Sequence, residues 1–264
     1  MKFIKYPLAF LIPVALIFCI FWVKSFSWQA YDRPIERQLI KDRQRIATAP
    51  IPKFDKTVFL RNSFWFKDGQ NSSGASAVLV EAEWGVAALT AKHLLGPAMG
   101  IEPAVKPSEF KAALNSWRVL IPGSSTHDVT LIADVADMKF PKQDGPSPDL
   151  LVFSVQQSPE ELKTTKVQIL KVSPHEPRDR DVHFLLGCPY AEADCLQNTY
   201  PITFLGSDPQ LSYQRLDQFF DLSGFSGAPI VDGSGGLVGI LTSSDGNTLF
   251  GERVTQVCVD KGAC

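Results

Sequence analysis

A serine flanked by glycines is the feature of this sequence best suited to covalent chemistry. Ser226 lies in the stretch Gly-Phe-Ser-Gly-Ala-Pro-Ile-Val at residues 224–231, with Gly224 two positions before it and Gly227 directly after it. Glycines adopt backbone conformations that a side chain forbids, and they leave backbone N–H groups open to a substrate oxygen. In acyl transfer such N–H groups stabilise the developing oxyanion. The pattern is that of a serine nucleophile, and a plain turn between two strands is the alternative interpretation.

His93 is the histidine best placed to act as a general base. The apolar stretch at residues 85–90 predicts a strand that ends just before it. The end of a strand followed by a tight turn holds a base rigidly, as general base catalysis requires. A histidine of a solvent-facing turn is the alternative. His127 and His175 lie in polar stretches, and His183 lies within an apolar run, where we expect a structural role.

Two aspartates are candidates for orienting such a histidine. Asp149 precedes the apolar run at residues 150–153, and Asp128 precedes a similar run at residues 129–132. A carboxylate at the start of a strand can accept the second imidazole N–H, which fixes the tautomer and stabilises the imidazolium. We favour Asp149 and keep Asp128 as the alternative, while either residue could instead only cap a turn.

The elements that must position these residues have the sequence pattern of β-strands. From residue 57 onward, short runs rich in Val, Ile, Leu, Phe and Thr alternate with Gly, Pro, Asp and Ser. This texture predicts an all-β barrel or sandwich. Residues 107–116 predict one helix within an insertion. Residues 31–47 predict a charged amphipathic helix, and residues 48–56 a proline-containing linker.

The N-terminal segment, residues 6–23, contains no charged side chain and is flanked by lysines. Its length is just enough to cross a hydrocarbon core of about 30 Å. Residues 1–27 are therefore interpreted as a signal peptide cleaved after Ser27 or as an uncleaved membrane anchor, with residues 28–56 as a charged helical stalk and linker. The basic residues that follow the segment favour a C-terminal side within the cell. We nevertheless expect the domain outside, because the segment is N-terminal and the cysteines suit export.

Four of the five cysteines form two local pairs, Cys188 with Cys195 and Cys258 with Cys264. In an exported domain we expect one or two disulfides, with local pairing favoured over the other connectivities and free thiols as the alternative. No Cys-x-x-Cys or His-x-x-x-His spacing occurs, so we expect no metal and no cofactor. The net charge of −2 gives no electrostatic indication of a nucleic-acid partner.

In their order along the chain, the three reactive stretches resemble the trypsin/chymotrypsin-like serine peptidases. Leu-Thr-Ala-Lys-His at residues 89–93 resembles that family's T-A-x-H box. Pro-Asp-Leu-Leu-Val-Phe at 148–153 resembles its D-[IL]-A-L strand, and Gly-Phe-Ser-Gly-Ala-Pro at 224–229 its G-[DN]-S-G-[GA]-P loop. The resemblance also takes in residues 74–80 and 235–242, and covers roughly residues 57–256.

The resemblance implies an all-β fold of two antiparallel six-stranded β-barrels with the site between them. The peptidase domain would span residues 57–264, with the first barrel at about 57–155 and the second at about 165–257. By the same resemblance, Ser226 would attack the scissile carbonyl and His93 would take its proton.

Asp149 would then orient His93, and the N–H groups of Gly224 and Ser226 would form the oxyanion hole. Phe225 stands where digestive members of the family carry an acid that pairs with a freshly cut N-terminus, so activation by clipping is not implied. The pattern is more similar to bacterial periplasmic HtrA-like or glutamyl-endopeptidase-like members. Only 38 residues follow Ser226, so we expect no PDZ domain.

Substrate preference is indicated by Phe220, near the family's pocket floor, and by Thr242, on the strand that resembles the wall of the cleft. Phe220 offers no carboxylate to a lysine or arginine, so we expect a small or apolar side chain in the pocket. The implied function is a serine endopeptidase acting on proteins or peptides. The alternative is a catalytically silent, membrane-anchored binding or scaffold domain, which the presence of all three reactive residues disfavours. An α/β-hydrolase is excluded because its order is serine, acid, histidine.

Overall fold

The computed structural model of the chain describes residues 34–69, 71–122, 133–138, 148–155, 157–190, 192, 195–216 and 221–261. Residues 34–48 form helix α1, which ends one residue beyond the amphipathic helix predicted over residues 31–47. Contacts along the chain divide it into two units, residues 1–47 and 48–264. In the described parts, every helix is too short or too polar to cross a bilayer, and the predicted segment at residues 6–23 lies outside them.

The first half of the second unit is a seven-stranded sheet, called here the open sheet. Its strands are β1 (Leu60–Phe66), β2 (Asn71–Ala82), β3 (Gly85–Thr90), β4 (Leu114–Leu120), β5 (Ala133–Met138), β6 (Leu151–Val155) and β7 (Ile169–Leu170). Six of them pair in the order β4-β1-β2-β3-β6-β5, and β7 pairs in parallel with β2. The sheet thus includes a short strand within the range assigned by sequence to the second barrel.

The expectation of a closed first barrel is wrong. Strand β5 meets β6 only at Ala133 with Val155 and at Met138 with Phe153, so β5 has extra, unpaired residues between the two bridges. Such an irregular edge does not continue the hydrogen-bond ladder. Among the described residues no ladder joins β5 to β4, and the sheet is a half-barrel.

The second half is a closed six-stranded barrel, as predicted. Its strands are β8 (Val182–Gly187), β9 (Asn198–Ser207), β10 (Leu211–Gln214), β11 (Pro229–Val231), β12 (Leu237–Asp245) and β13 (Thr248–Arg253). They close in the order β10-β13-β12-β11-β8-β9. Its interior is filled by buried side chains that include Leu185, Phe204, Tyr213, Phe225 and Leu249.

Alternation along the strands builds the two cores of the open sheet. On β2, Ala77 and Leu79 pack in the sheet's own core, whereas Val78 and Val80 pack against residues of the closed barrel such as Phe184. Side chains of a strand alternate between its two faces, so a strand covered on both sides reads as an unbroken apolar run. The second core joins the two sheets, and the ends of β3 and β6 lie beside it.

Short helices complete the fold: α2 (Phe110–Ala113), α3 (Pro159–Thr164) and α4 (Gln256–Lys261). The helix predicted over residues 107–116 is only partly present. A 3₁₀ turn at Pro107–Glu109 leads into α2, which ends at Ala113. Strand β4 begins at Leu114, opposite Phe66 of β1. Pairing with β1 overrides the helical preference of the last residues.

Candidate active site

His93 lies between a carboxylate and a hydroxyl. Its Nδ1 lies 2.5 Å from Oδ2 of Asp149, and its Nε2 lies 3.0 Å from Oγ of Ser226. An ionised carboxylate only accepts hydrogen bonds, so Nδ1 carries the proton, and in the neutral ring Nε2 accepts from the serine hydroxyl. Asp149 is 56 positions and Ser226 133 positions away from His93 in the chain, yet the three side chains meet in one hydrogen-bonded line.

The strand pairing of the open sheet explains how Asp149 and His93 meet. His93 follows β3 directly, in a 3₁₀ turn at Lys92–Leu95, and Asp149 precedes β6. Because Thr90 of β3 pairs with Leu151 of β6, the two segments lie at the same end of the sheet. The second oxygen of Asp149 accepts a 2.9 Å hydrogen bond from the backbone N–H of His93. The carboxylate thus fixes both the backbone and the ring of the histidine.

Asp149 is itself held by a residue of the closed barrel. Its backbone N–H donates a 3.0 Å hydrogen bond to Oε1 of Glu252 on β13, which also accepts 2.9 Å from Nε2 of Gln210. Glu252 is only 9% exposed. The side chains of His93 and Asp149 are 30% and 21% exposed, so the line remains open to a substrate. The other candidate acid, Asp128, lies outside the described residues.

The loop that carries Ser226 is a pair of tight turns on glycines. Gly224 has φ +94° and Gly227 has φ +84°, in the left-handed region that favours glycine. A methyl group built on Gly227 would lie 2.7 Å from Oγ1 of Thr90 and still closer to the carbonyl oxygen of Ser76. The Gly227 N–H donates a 2.7 Å hydrogen bond to the carbonyl of Leu241. The turn therefore has no room for a side chain after the serine.

Phe225 anchors this loop by burial. Its ring is fully buried in the closed barrel, beside Tyr200, and it leaves no room for a side chain at Gly187. Where an acid at this position needs a charged partner, an apolar ring needs only a matching cavity. The loop is thus held in place by packing among the described residues of the barrel.

Strand β2 holds the same loop from the open sheet. The backbone N–H of Ser76 donates a 2.7 Å hydrogen bond to the carbonyl of Ser226, and the Ser76 hydroxyl donates 2.6 Å to the carbonyl of Gly224. Within the described part of the chain, neither the Gly224 nor the Ser226 N–H donates a backbone hydrogen bond. Their predicted role as donors to a substrate oxygen stays a prediction.

A buried polar network supports this part of β2. The carbonyl of Ser76 accepts from the Thr90 hydroxyl (2.6 Å) and from Nδ2 of Asn62 (2.9 Å). Oδ1 of Asn62 accepts 2.9 Å from the indole N–H of Trp117. All four residues are less than a tenth exposed. A network whose groups are satisfied in this way fixes one arrangement of the backbone.

Of the two residues expected near the specificity pocket, only Thr242 lies among the described residues. Phe220 lies outside the described residues. Thr242 lies at a register shift of β12, is 6% exposed, and donates a 3.3 Å hydrogen bond to the carbonyl of Phe250. Its hydroxyl is thus used within the barrel, and its role toward a substrate stays a prediction.

The cysteine pairing is confirmed where the structure describes it. Cys188 and Cys195 form a disulfide with an S–S distance of 2.03 Å. Cys258 is also disulfide-bonded, but its partner lies outside the described residues, as does Cys264. The second predicted pair therefore stays a prediction.

His183 lies in the closed barrel and is not part of the hydrogen-bonded line of Asp149, His93 and Ser226. Its Nδ1 lies 3.1 Å from the hydroxyl of Tyr213. Burial lowers the pKa of His183 despite the opposing charges of Asp181 and Asp232, and burial raises the pKa of Tyr213. Both shifts favour the neutral forms of the two side chains, which share this hydrogen bond. His183 borders a cleft of about 610 Å³, but none of His93, Asp149 and Ser226 lines that cleft. The structural role expected for His183 fits this setting.

Sequence reasoning missed three residues that hold the site: Ser76, Tyr190 and Glu252. Ser76 belongs to the stretch at residues 74–80 that carries part of the family resemblance, which is a signal for it. Glu252 and Tyr190 have no local pattern, because their contacts join positions more than 100 residues apart. Only the flanking cysteines mark the loop that contains Tyr190.

No protein-family model matches the sequence, and no curated protein matches it significantly. Among solved structures, the chain is similar to the active form of the Rv3671c protease from M. tuberculosis, with 13% identity, 77% of this chain and 79% of that one covered, and a TM-score of 0.49. It is also similar to the thermostable serine protease AL20 from an extremophilic microorganism, with 15% identity, 75% of this chain and 92% of that one covered, and a TM-score of 0.49. A serine endoprotease from Yersinia pestis is similar at 17% identity, with 80% of this chain and 62% of that one covered, and a TM-score of 0.46. Because these TM-scores lie below 0.5, we base no function on the likenesses.

Proposed function

We propose that this protein is a serine hydrolase that cleaves peptide bonds, with Ser226 as the nucleophile. The observation that carries the proposal is the line from Asp149 through His93 to Ser226, with separations of 2.5 and 3.0 Å. A hydroxyl is a weak nucleophile unless an adjacent base removes its proton. His93 is within reach of that proton, and Asp149 sets its tautomer.

The proposed reaction has two halves. In the first, Ser226 Oγ attacks the substrate carbonyl while its proton passes to Nε2 of His93, and the resulting imidazolium is stabilised by Asp149. The oxyanion accepts hydrogen bonds from the N–H groups of Gly224 and Ser226. The tetrahedral intermediate collapses as His93 gives its proton to the leaving amine, and an acyl-enzyme remains. In the second half, water repeats the attack with His93 as base, and the acid product leaves.

The proposal extends to the substrate class, the branch of the family and the cellular location of the protein. We keep proteins or peptides as substrates, with a small or apolar side chain in the pocket near Phe220, and an HtrA-like or glutamyl-endopeptidase-like branch of the family. Export is supported by the disulfide Cys188–Cys195, since such bonds persist in oxidising compartments. The segment at residues 6–23 would then serve as a signal peptide or an anchor.

Labelling with a fluorophosphonate probe tests the proposal without knowledge of the substrate. We expect the full chain to be labelled, and the variant Ser226→Ala to be folded and unlabelled. The matched control is Ser207→Ala, an exposed serine at the end of β9, which we expect to label at the wild-type rate. Folded wild-type protein without Ser226-dependent label would contradict the proposal and favour the silent scaffold. Cleavage of a peptide library by the wild type, with Ser226→Ala as the blank, then defines the substrate preference.

A further inference from the structure

We propose that Tyr190 is a positioning residue of the active site, which holds Gly224 so that its N–H faces the substrate oxyanion. This inference rests on the proposed function and goes beyond it by assigning a role outside the line of Asp149, His93 and Ser226. Three sets of contacts of Tyr190 carry it.

The first contact is with the β-bulge of β2. The register with β1 passes from Arg61 opposite Ser76 to Asn62 opposite Gly74, which leaves Ala75 as the extra residue. Ala75 has φ +53°, an unusual value for a residue with a side chain. A backbone N–H that leaves the ladder needs another partner. The Ala75 N–H donates to the hydroxyl of Tyr190.

The second contact is with the glycine that precedes the nucleophile by two positions. A methyl group built on Gly224 would lie 2.7 Å from Cε1 and 2.8 Å from Cζ of the Tyr190 ring. The ring therefore lies directly against the Cα of Gly224. The Gly224 carbonyl also accepts the 2.6 Å hydrogen bond from the Ser76 hydroxyl of β2. Gly224 is thus confined by contacts with both the aromatic ring and β2.

This confinement matters because glycine has the widest conformational freedom of any residue. Without a neighbour, the Gly224 peptide can rotate and turn its N–H away from the substrate. Donors that stabilise an oxyanion act efficiently only when they are fixed before the reaction. The Tyr190 ring supplies that restraint at Gly224, whose φ is +94°.

The third set of contacts fixes Tyr190 itself. The disulfide Cys188–Cys195 closes a short loop around it, and Pro189 precedes it. The Arg61 guanidinium lies 4.9 Å from the centre of the Tyr190 ring, and its Nη2 donates a 3.4 Å hydrogen bond to the carbonyl of Cys188. A cation over an aromatic face is attracted to it. The ring is therefore held by both the open sheet and the cystine loop.

Tyr190 contributes less to the core than the buried aromatic residues do. It is 43% exposed, whereas Phe225 and Tyr213 are fully buried. Removal of its ring therefore costs less apolar burial than the loss of a core residue. Its effect on the reaction can thus be measured in folded protein.

The test compares Tyr190→Phe, which keeps the ring and removes the hydroxyl, with Tyr190→Ala, which removes both. The matched control is Leu196→Ala, a 56% exposed apolar residue next to Cys195. Saturation labelling with a fluorophosphonate separates the maximal labelling rate from the binding constant of the probe. Thermal unfolding of each variant reports its stability.

We expect the maximal labelling rate to fall about 10-fold in Tyr190→Phe and about 100-fold in Tyr190→Ala, part of the loss caused by removing an oxyanion donor outright. The probe's binding constant should change little, and Leu196→Ala should match the wild type in both constants. If Tyr190→Ala does not fold, Tyr190→Phe decides the question. Labelling of folded Tyr190 variants at the wild-type rate would overturn the inference while leaving the proposed function intact. A wild type without Ser226-dependent labelling would instead contradict the proposed function, and this inference with it.

Discussion

Glu252 of the closed barrel accepts a 3.0 Å hydrogen bond from the backbone N–H of Asp149, whose side chain reaches His93. The start of β6 is therefore fixed by the other half of the fold. The candidate site depends on the packing of the two sheets against each other, because the serine loop and Asp149 are each held from the opposite side.

Glu252→Ala should lower kcat about tenfold, because the Asp149 backbone loses an acceptor whose hydrogen bond is worth on the order of 1 kcal/mol. Glu252→Gln keeps an oxygen in the same place and should stay close to the wild type. The matched control is Glu160→Ala, whose carboxylate is exposed on α3. Steady-state hydrolysis of an ester substrate measures the effect. Equal rates for Glu252→Ala and Glu252→Gln would show that the hydrogen bond to Asp149 has no catalytic consequence.

Gly227→Ala should destabilise the fold by at least about 3 kcal/mol, from the left-handed backbone and from overlap with the backbone of β2. The control is Gly246→Ala, which has φ +56° and open space around its Cα. It should cost only about 1–2 kcal/mol. Urea unfolding followed by fluorescence gives both values. Similar losses in the two variants would mean that β2 does not confine the serine loop.

Removal of the disulfide should affect both stability and rate. In Cys188→Ser/Cys195→Ser, the loop with a sequence separation of 7 is no longer closed, which should lower the free energy of unfolding by about 2–3 kcal/mol. The labelling rate of the folded variant should also fall, because Tyr190 loses a restraint. Because the double variant lacks this disulfide, a reducing agent should not lower its labelling rate further by breaking the 188–195 bond. Wild-type labelling by the folded double variant would contradict the link between the disulfide and the site.

Stability should depend on pH through His183. Burial lowers its pKa in the folded state, so the unfolded chain binds the proton more readily. The contribution to stability is therefore present above the ordinary histidine value of about 6.5 and is lost as the pH falls toward the folded-state pKa. Denaturation at pH 7.5 and 5.5 should show a loss that is smaller in His183→Gln. The control is His175→Gln, because His175 is exposed. An unchanged pH dependence in His183→Gln would refute this assignment.

The site residues with local signatures could be predicted from the sequence. His93 and Asp149 each stand where a strand meets a turn, and Ser226 stands between glycines, so the neighbours of each residue describe its setting. The short apolar runs predict an all-β barrel or sandwich, and the resemblance to the trypsin/chymotrypsin-like peptidases implies the closed six-stranded barrel. The structure places these three side chains within hydrogen-bonding distance.

Other features depend on contacts between distant positions and have no local signature. No residue near Glu252 in the chain indicates its contact with Asp149, and none near Tyr190 indicates its contact with Ala75 of the open sheet. The closed first barrel was predicted wrongly because closure depends on the register of an edge strand, β5, which pairs with β6 at two points only. The helix expected over residues 107–116 ends early for a related reason, since Leu114 pairs with Phe66. Propensity gives way to strand pairing there.

The most direct measurement of the central claim is the burst of an activated ester combined with mass analysis. A nitrophenyl ester mixed with the full chain should release a stoichiometric burst of nitrophenol, because acylation by an activated ester is faster than hydrolysis of the acyl-enzyme. Intact mass should increase by the acyl group, and peptide mapping should place it on Ser226. An adduct on another residue, or folded protein that forms none, would contradict the account.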